Sequence, residues 1–210
     1  MKIVLQFSLF LLLLGSCKQS LKTLRQLDSD TLQSVILDSA LHDTVEKNIK
    51  YIPDRHFSSF KTPIEVRWLQ NGLISDSIID DSFDMISWYS INKDTIDLVS
   101  HITEMESHAL LVRFVGNEIY VFFFRAPHDT QGSKYFRKSK KDPFSHMIEV
   151  APVRYQLKLS EIPDTINKQV IFGHIDMLSG CYYDKRDSVK RRNQLQMRFY
   201  FRSQYTKFDY

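Results

Sequence analysis

Residues 108–126, HALLVRFVGNEIYVFFFRA, form the most apolar part of the chain after the N-terminal segment. Two apolar runs rich in β-branched and aromatic residues flank Gly116-Asn117. Glycine followed by asparagine suits a type II′ turn, because the first central position of that turn needs a positive φ. The stretch therefore predicts a β-hairpin with a two-residue loop, in which Val115 lies opposite Glu118.

This register assigns the side chains of the hairpin to two faces, because successive residues of a strand point to opposite sides. The first face collects Leu110, Val112, Phe114, Ile119, Val121 and Phe123. The second face collects Leu111, Val115, Tyr120, Phe122 and Phe124. Two apolar faces are typical of strands that are covered on both sides. We therefore expect the hairpin to be central, with a second sheet over one face and an N-terminal helix over the other.

Alternation with a period of two residues recurs along the chain. Residues 62–70 run into Asn71-Gly72, the strongest short hairpin signal, and a simple two-residue loop would pair Arg67 with Asp76. The same alternation marks residues 147–150, 153–159, 169–179 and 194–204, with Pro152 at a bulge or an edge because proline cannot donate to the ladder. Residues 83–106 fit either strands or one strand and a short helix.

The segment before the first hairpin has a different period. From residue 31 to about residue 50 the apolar residues approximate one helical face, with Asp28 or Asp30 as a cap and Pro53 as the end. The predicted fold class is therefore mainly β, an antiparallel β-sandwich or partly open barrel with an N-terminal amphipathic helix.

Composition and charge narrow the function classes. The chain of 210 residues is 43% hydrophobic and 13% aromatic, which argues against disorder. A formal net charge of +3 indicates no general attraction to nucleic acid. The charges are segregated, because residues 76–106 hold eight acids and one base while residues 185–210 hold eight bases and two acids. Such blocks are typical of solvated faces.

The N-terminus carries the most specific motif of the chain. Lys2 precedes an apolar run over residues 3–14, which is too short to span a bilayer. The run ends in Leu14-Gly15-Ser16-Cys17, which resembles the lipobox of bacterial lipoproteins. The resemblance covers about the first 20 residues, and it implies cleavage before Cys17, a thioether-linked diacylglycerol on Cys17 and acylation of its new amino group. Several acyl chains together give stable anchoring.

This motif also divides the chain. We expect a lipoprotein signal peptide over residues 1–16, a polar tether over residues 17–30 and a single β-rich domain over residues 31–210. Lys18 follows the cysteine where an aspartate would favour the inner membrane, so the predicted location is the outer membrane, facing the periplasm. The only other cysteine is Cys181, which would be either buried and inert or available for intermolecular pairing, and we expect a buried small hydrophobe. An internal disulfide is excluded once Cys17 is lipidated.

The sequence contains no local catalytic signature. Nucleophile elbows, zinc-binding helices and phosphate loops are absent, and the histidines lack metal-ligand spacing, so the sequence predicts no cofactor and no metal. Three polar groupings remain as candidates. Two are the pairs His174/Asp176 and His128/Asp129. The third is the loop over residues 132–142, where five bases surround Tyr135 and Phe136: Lys134, Arg137, Lys138, Lys140 and Lys141.

These features predict a membrane-anchored envelope lipoprotein with a non-enzymatic binding or structural β domain. Its partners would be the bilayer, through Cys17, and an envelope protein or glycan, with the loop as the binding element and without nucleic acid. Two alternatives stay open. One is an envelope hydrolase with a site near residues 127–142, and the other is an anchored inhibitor or immunity protein.

Overall fold

The computed structural model describes residues 33–52, 59–102, 108–125, 136–143, 145–184 and 192–207. Cys17, the tether, Lys134 and Tyr135 lie outside the described residues. In chain order the elements are β1 (Gln33–Leu37), α1 (Leu41–Asn48), β2 (Lys50–Tyr51), β3 (Ser59–Gln70), β4 (Leu73–Asn92), β5 (Thr95–Ile102), β6 (His108–Val115), β7 (Glu118–Arg125), β8 (Phe136–Arg137), β9 (Ile148–Val150), β10 (Pro152–Leu159), β11 (Ile171–Ser179), β12 (Tyr183–Asp184) and β13 (Asn193–Tyr205).

Eleven of these strands form one sheet, so the mainly β prediction is confirmed. The order is β1-β10-β11-β13-β3-β4-β5-β6-β7-β9, with β2 beside β3, and β8 and β12 form a separate small ladder. The sheet is mixed, because β1 runs parallel to β10 and the end of β13 pairs in parallel with β4. One buried apolar cluster draws on strands from both ends of this order, which requires the sheet to curve around a shared core.

The central hairpin has the predicted register. Val115 lies opposite Glu118 and the ladder continues without a shift to His108 opposite Arg125. Gly116 has a φ of 57°, as the turn requires. The face that carries Leu110 and Phe123 is buried in the core, whereas Phe122 and Phe124 on the opposite face are only half-buried.

The N-terminal helix is shorter than predicted and lies elsewhere. Residues 33–37 form β1, because Val35 and Ile36 favour extended backbone and pair with β10. Only Leu41–Asn48 is helical, and Ala40 at its N-cap makes no side-chain hydrogen bond. The helix packs against β11 and β13 and not over the central hairpin, so that part of the prediction is wrong. The proposed caps Asp28 and Asp30, and Pro53, lie outside the described residues.

The first hairpin keeps its predicted turn but not its predicted charge pair. Gln70 lies opposite Leu73, and Asn71 and Gly72 both have positive φ. Beyond that point the register shifts, so that Trp68 and not Arg67 lies opposite Asp76. The extra residue is Ser75, whose hydroxyl donates to the Trp68 carbonyl at 3.1 Å. Arg67 instead forms an ion pair with Glu65.

The later strands follow their predicted alternation. A register shift between Pro152 and Arg154 confirms the bulge at the proline. In β13 the residues Leu195, Met197, Phe199 and Phe201 are buried, while the alternate positions are half-buried or exposed. Residues 83–92 and 95–102 are strands, which settles the ambiguous segment for its described part. Among the described residues no helix is both long enough and apolar enough to cross a bilayer.

Candidate functional site

A cleft opens at the end of the sheet that holds the Asn71-Gly72 turn. Its volume is about 440 Å³, within the range of small-molecule sites. Of the residues that the structure describes, those in four short segments supply its wall: the β3–β4 hairpin, the end of β7, the residues around β12 and the start of β13. The lining residues are Trp68, Leu69, Gln70, Ser75, Asp76, Arg125, Tyr182, Asp184, Asn193 and Gln194.

The cleft lies where the core-facing side of the sheet stops being apolar. Inward positions alternate along each strand, and the last inward positions at this end are Trp68 on β3, His108 on β6, Arg125 on β7 and Asn193 on β13. Further along the same faces the inward residues are aliphatic or phenyl side chains of the buried cluster. Because side chains alternate between the two faces of each strand, these polar side chains lie at the boundary between the core and the cleft.

Arg125 is the most buried charge at this boundary, with 8% of the residue exposed. Its Nη1 donates to the Tyr182 hydroxyl at 2.6 Å, and its guanidinium lies 4.5 Å from the centre of the Phe136 ring and 5.2 Å from that of Tyr182. Aromatic faces stabilise a partly desolvated cation. The guanidinium is thus held between two rings and a hydroxyl, which fixes its position in the wall.

Tyr182 reaches this position because its backbone is tied to β13. Its N–H and carbonyl exchange hydrogen bonds with Asn193 at 3.0 and 2.9 Å, outside the main ladders. The neighbouring residues Tyr183 and Asp184 pair with Arg137 and Phe136 of β8. The small β8–β12 ladder therefore closes one side of the cleft and brings Phe136 over Arg125.

His108 lies directly behind the wall. Its ring stacks on Phe123 at 5.6 Å and meets Trp68 edge-on at 6.3 Å, and its residue is opposite Arg125 in the ladder. Only 2% of His108 is exposed, and neither ring nitrogen has a hydrogen-bond partner within the part of the chain that the structure describes. Burial, followed by the nearby charges of Arg125 and His101, lowers the pKa of His108 to about 3. The ring is therefore neutral at ordinary pH.

The predicted basic loop is only partly within the described residues. Arg137 lies in β8, where its Nη1 donates to the Lys140 carbonyl at 2.9 Å and its guanidinium lies 5.8 Å from the centre of the Tyr183 ring. Lys138, Lys140 and Lys141 are exposed. Arg137 and Lys138 border a separate groove of about 430 Å³, which Phe124 and Met147 also line. This groove shares no lining residue with the cleft at Arg125.

The pair His174/Asp176 lies on β11 with both side chains on the same half-exposed face. Asp176 accepts two hydrogen bonds from the Arg198 guanidinium, at 2.6 and 3.0 Å. His174 packs on Tyr200 at 4.6 Å, and burial together with Lys158 lowers the pKa of His174 to about 4. Each side chain therefore makes its hydrogen bonds or ring contact with β13, and Asp176 acts on His174 only through its charge, which opposes the lowering of the His174 pKa. His128 and Asp129 lie outside the described residues.

Two further observations limit the chemistry of the described residues. They contain no group of three or more histidine, cysteine or carboxylate side chains placed to hold a metal ion. Cys181 is a free thiol and is half-buried, so the expectation of a buried residue is wrong. It lies next to Tyr182, where the chain leaves β11 and turns along the cleft.

Comparisons with known proteins give no resemblance on which an assignment could rest. Neither protein-family models, nor curated proteins, nor solved structures match this chain.

Sequence reasoning missed the cleft, although part of its signal was present. His108 and Arg125 share the inward parity of Leu110 and Phe123, so a charged or titratable residue fell on a core-facing position of the most apolar hairpin. A buried polar residue is more informative than an exposed apolar one. The contributions of Tyr182 and Phe136 had no such signal, because they come from short segments far away in the chain.

Proposed function

We propose that this chain is a lipid-anchored envelope protein whose β domain binds a ligand and does not catalyse a reaction. The lipobox residues Leu14-Gly15-Ser16-Cys17 support the anchor and a periplasm-facing position at the outer membrane. The observation that carries the binding role is the cleft of about 440 Å³ between β3, β7, β12 and β13. It combines aromatic, amide, hydroxyl and charged side chains on a rigid sheet end.

The titratable groups of the cleft favour binding over catalysis. A general base works best when its pKa is near the working pH, whereas the pKa of His108 is lowered to about 3 and its ring lies behind the wall. Asp76 is exposed and accepts a hydrogen bond from the Ser77 backbone N–H at 2.8 Å. The Arg125 guanidinium is occupied by the Tyr182 hydroxyl and by the rings of Phe136 and Tyr182. These side chains are positioned to hold a ligand.

The anchor is tested by replacing Cys17 with alanine in cells that make the full chain. The wild-type protein should fractionate with membranes, resist a salt wash and carry acyl chains on Cys17 when it is examined by mass spectrometry. The Cys17→Ala variant should appear in the soluble periplasmic fraction. A membrane-bound, salt-resistant alanine variant would contradict the anchor.

The binding role is tested by mixing the purified protein with solubilised small molecules and oligomers from envelope extracts. Molecules that remain bound after gel filtration are identified by mass spectrometry. Trp68→Leu should lose them, while Trp88→Leu should retain them, because Trp88 borders a different groove. If the wild-type protein and both variants retain nothing, the β domain is not a small-molecule binding module.

One observation favours a protein partner as a second candidate, in line with an anchored inhibitor. Within the described residues, the first half of β4 pairs only with β3, so its other edge is open. This edge carries Leu73, Ile74 and Ile79, which are 76%, 58% and 70% exposed. An open strand edge can accept a strand from another chain.

A further inference from the structure

The lining of the cleft specifies a chemical class of ligand, on the basis of the binding role proposed above. We propose that the cleft binds an uncharged saccharide, with Trp68 against a sugar ring and Asp76, Asp184 and the neighbouring amides on its hydroxyls. Four observations point to this class: the aromatic ring, the mixture of donors and acceptors, the charge balance, and the lack of a hydrogen-bond partner for His108 among the described residues.

Trp68 provides the apolar surface. Its side chain is half-buried, packs against the core on one side and lines the cleft on the other. An indole ring has a negative face, which complements the C–H groups on the flat side of a pyranose ring. A purely apolar ligand is a poorer match, because most of the remaining wall is polar.

The polar lining consists of groups that suit hydroxyls. Gln70, Asn193 and Gln194 carry amides, which donate and accept, while Asp76 and Asp184 carry carboxylates, which accept. The Gln194 amide N–H already donates to the Ser179 carbonyl at 3.0 Å, which fixes the direction of that side chain. Hydroxyl groups both donate and accept hydrogen bonds. A ligand with several hydroxyls can therefore bond to both types of side chain.

The charge of the cleft disfavours anions. Among the described residues, two carboxylates and one guanidinium line the cleft, and that guanidinium donates to the Tyr182 hydroxyl and lies against the rings of Phe136 and Tyr182. Sites for phosphate or carboxylate ligands present arginine forks or lysines towards the ligand. We therefore expect sulfated, phosphorylated or acidic sugars to bind more weakly than their neutral counterparts.

His108 supplies an independent indication of a missing polar group. More than nine-tenths of buried polar groups have a hydrogen-bond partner, yet neither nitrogen of this buried ring has one among the described residues. His108 contacts Trp68 and lies opposite Arg125, and both of these residues line the cleft. A ligand hydroxyl, or a water molecule held by it, can both donate to and accept from a neutral imidazole.

The chain allows a direct fluorescence test, because Trp68 and Trp88 are its only tryptophans. In the full-length Trp88→Phe protein, kept in detergent, Trp68 is the single reporter. A panel of neutral oligosaccharides, including N-acetylglucosamine and glucose oligomers, is titrated alongside sulfated and carboxylated forms of the same sugars. We expect a saturable change with at least one neutral oligomer and a weaker response to its charged form. Trp68→Phe, which leaves Trp88 as the reporter, should show no change.

The role of the polar wall is tested by calorimetry with the sugar that binds best. Asp76→Asn should weaken binding roughly tenfold or more, since it removes a charged acceptor, while circular dichroism shows that the fold is kept. Asp80→Asn is the matched control, because Asp80 lies on the same strand but does not line the cleft. The proposal is overturned if no neutral sugar in the panel binds, or if binding does not depend on Trp68 and Asp76. In that case, a peptide or an anion retained in the envelope-extract experiment would still support the proposed binding role, although not its saccharide specificity.

Discussion

The buried histidine behind the cleft should make the protein measurably less stable in mild acid. In the folded state the pKa of His108 is lowered to about 3, mainly by burial. In the unfolded chain an exposed histidine titrates near its ordinary value of about 6.5. Between these two values the unfolded chain binds one more proton than the folded protein. Stability therefore rises with pH through this window and falls as the solution is acidified.

The size of this effect follows from the two pKa values. The slope approaches about 1.4 kcal/mol per pH unit between pH 6.5 and pH 3. From pH 7 to pH 5, His108 alone should lower the free energy of unfolding by about 2 kcal/mol. This is a large fraction of the 5–15 kcal/mol that is typical of a domain. His174, whose pKa is also lowered, should add a contribution of the same sign.

Two substitutions separate titration from polarity at this position. His108→Leu removes the titrating group together with two ring nitrogens that have no hydrogen-bond partner in the described part of the chain, whereas His108→Gln removes the titration but keeps a buried polar group. Urea unfolding at pH 7 and pH 5, followed by circular dichroism, should show a smaller pH dependence for both variants than for the wild type. Leucine should also be the more stable of the two at pH 7, by about 1–3 kcal/mol, because an unsatisfied polar group is costly. If both variants lose as much stability on acidification as the wild type, the argument from His108 is wrong.

Two other positions give independent tests of the fold. An added methyl group at Gly173 would collide with the ring of Phe201 on the neighbouring strand, so Gly173→Ala should lower the free energy of unfolding by about 1–3 kcal/mol in a urea titration. Adding Phe201→Leu should recover part of that loss, and an unchanged midpoint for the single variant would contradict the close packing. On the open edge of β4, Ile79→Lys should reduce concentration-dependent association in analytical ultracentrifugation. The substitution should alter the free energy of unfolding by no more than about 0.5 kcal/mol. If the variant associates as strongly as the wild type, the open edge of β4 is not an association surface.

The parts of the fold that were predictable from sequence are those set by local geometry. A two-residue turn and a strict period of two made the central hairpin predictable, because a slip by one residue would turn Leu110, Val112 and Phe123 away from the core. The first hairpin had equally clear turn residues, but Ser75 adds a residue to one strand. Its hydroxyl satisfies the Trp68 carbonyl, so the bulge is tolerated and no local pattern reveals it.

The N-terminal segment illustrates the limit of periodicity in short apolar runs. Val35 and Ile36 fit one face of a helix as well as they fit a strand, and only the pairing with β10 decides between the two. The same limit applies to the site. Tyr182 and Phe136 meet at Arg125 because two short strands pair across a long sequence separation, which composition and spacing do not encode.

The polar residues at the inward positions of this end of the sheet should lower the stability of the fold, so their presence there needs an explanation. Trp68, His108, Arg125 and Asn193 occupy places where aliphatic residues would continue the core, and burying polar groups there is unfavourable unless they are bonded. Proteins accept such local conflicts mainly where they bind or react. If the cleft has the proposed role, His108→Leu should therefore raise stability and weaken saccharide binding at the same time. A variant that gains stability and binds as the wild type does would show that His108 takes no part in the site.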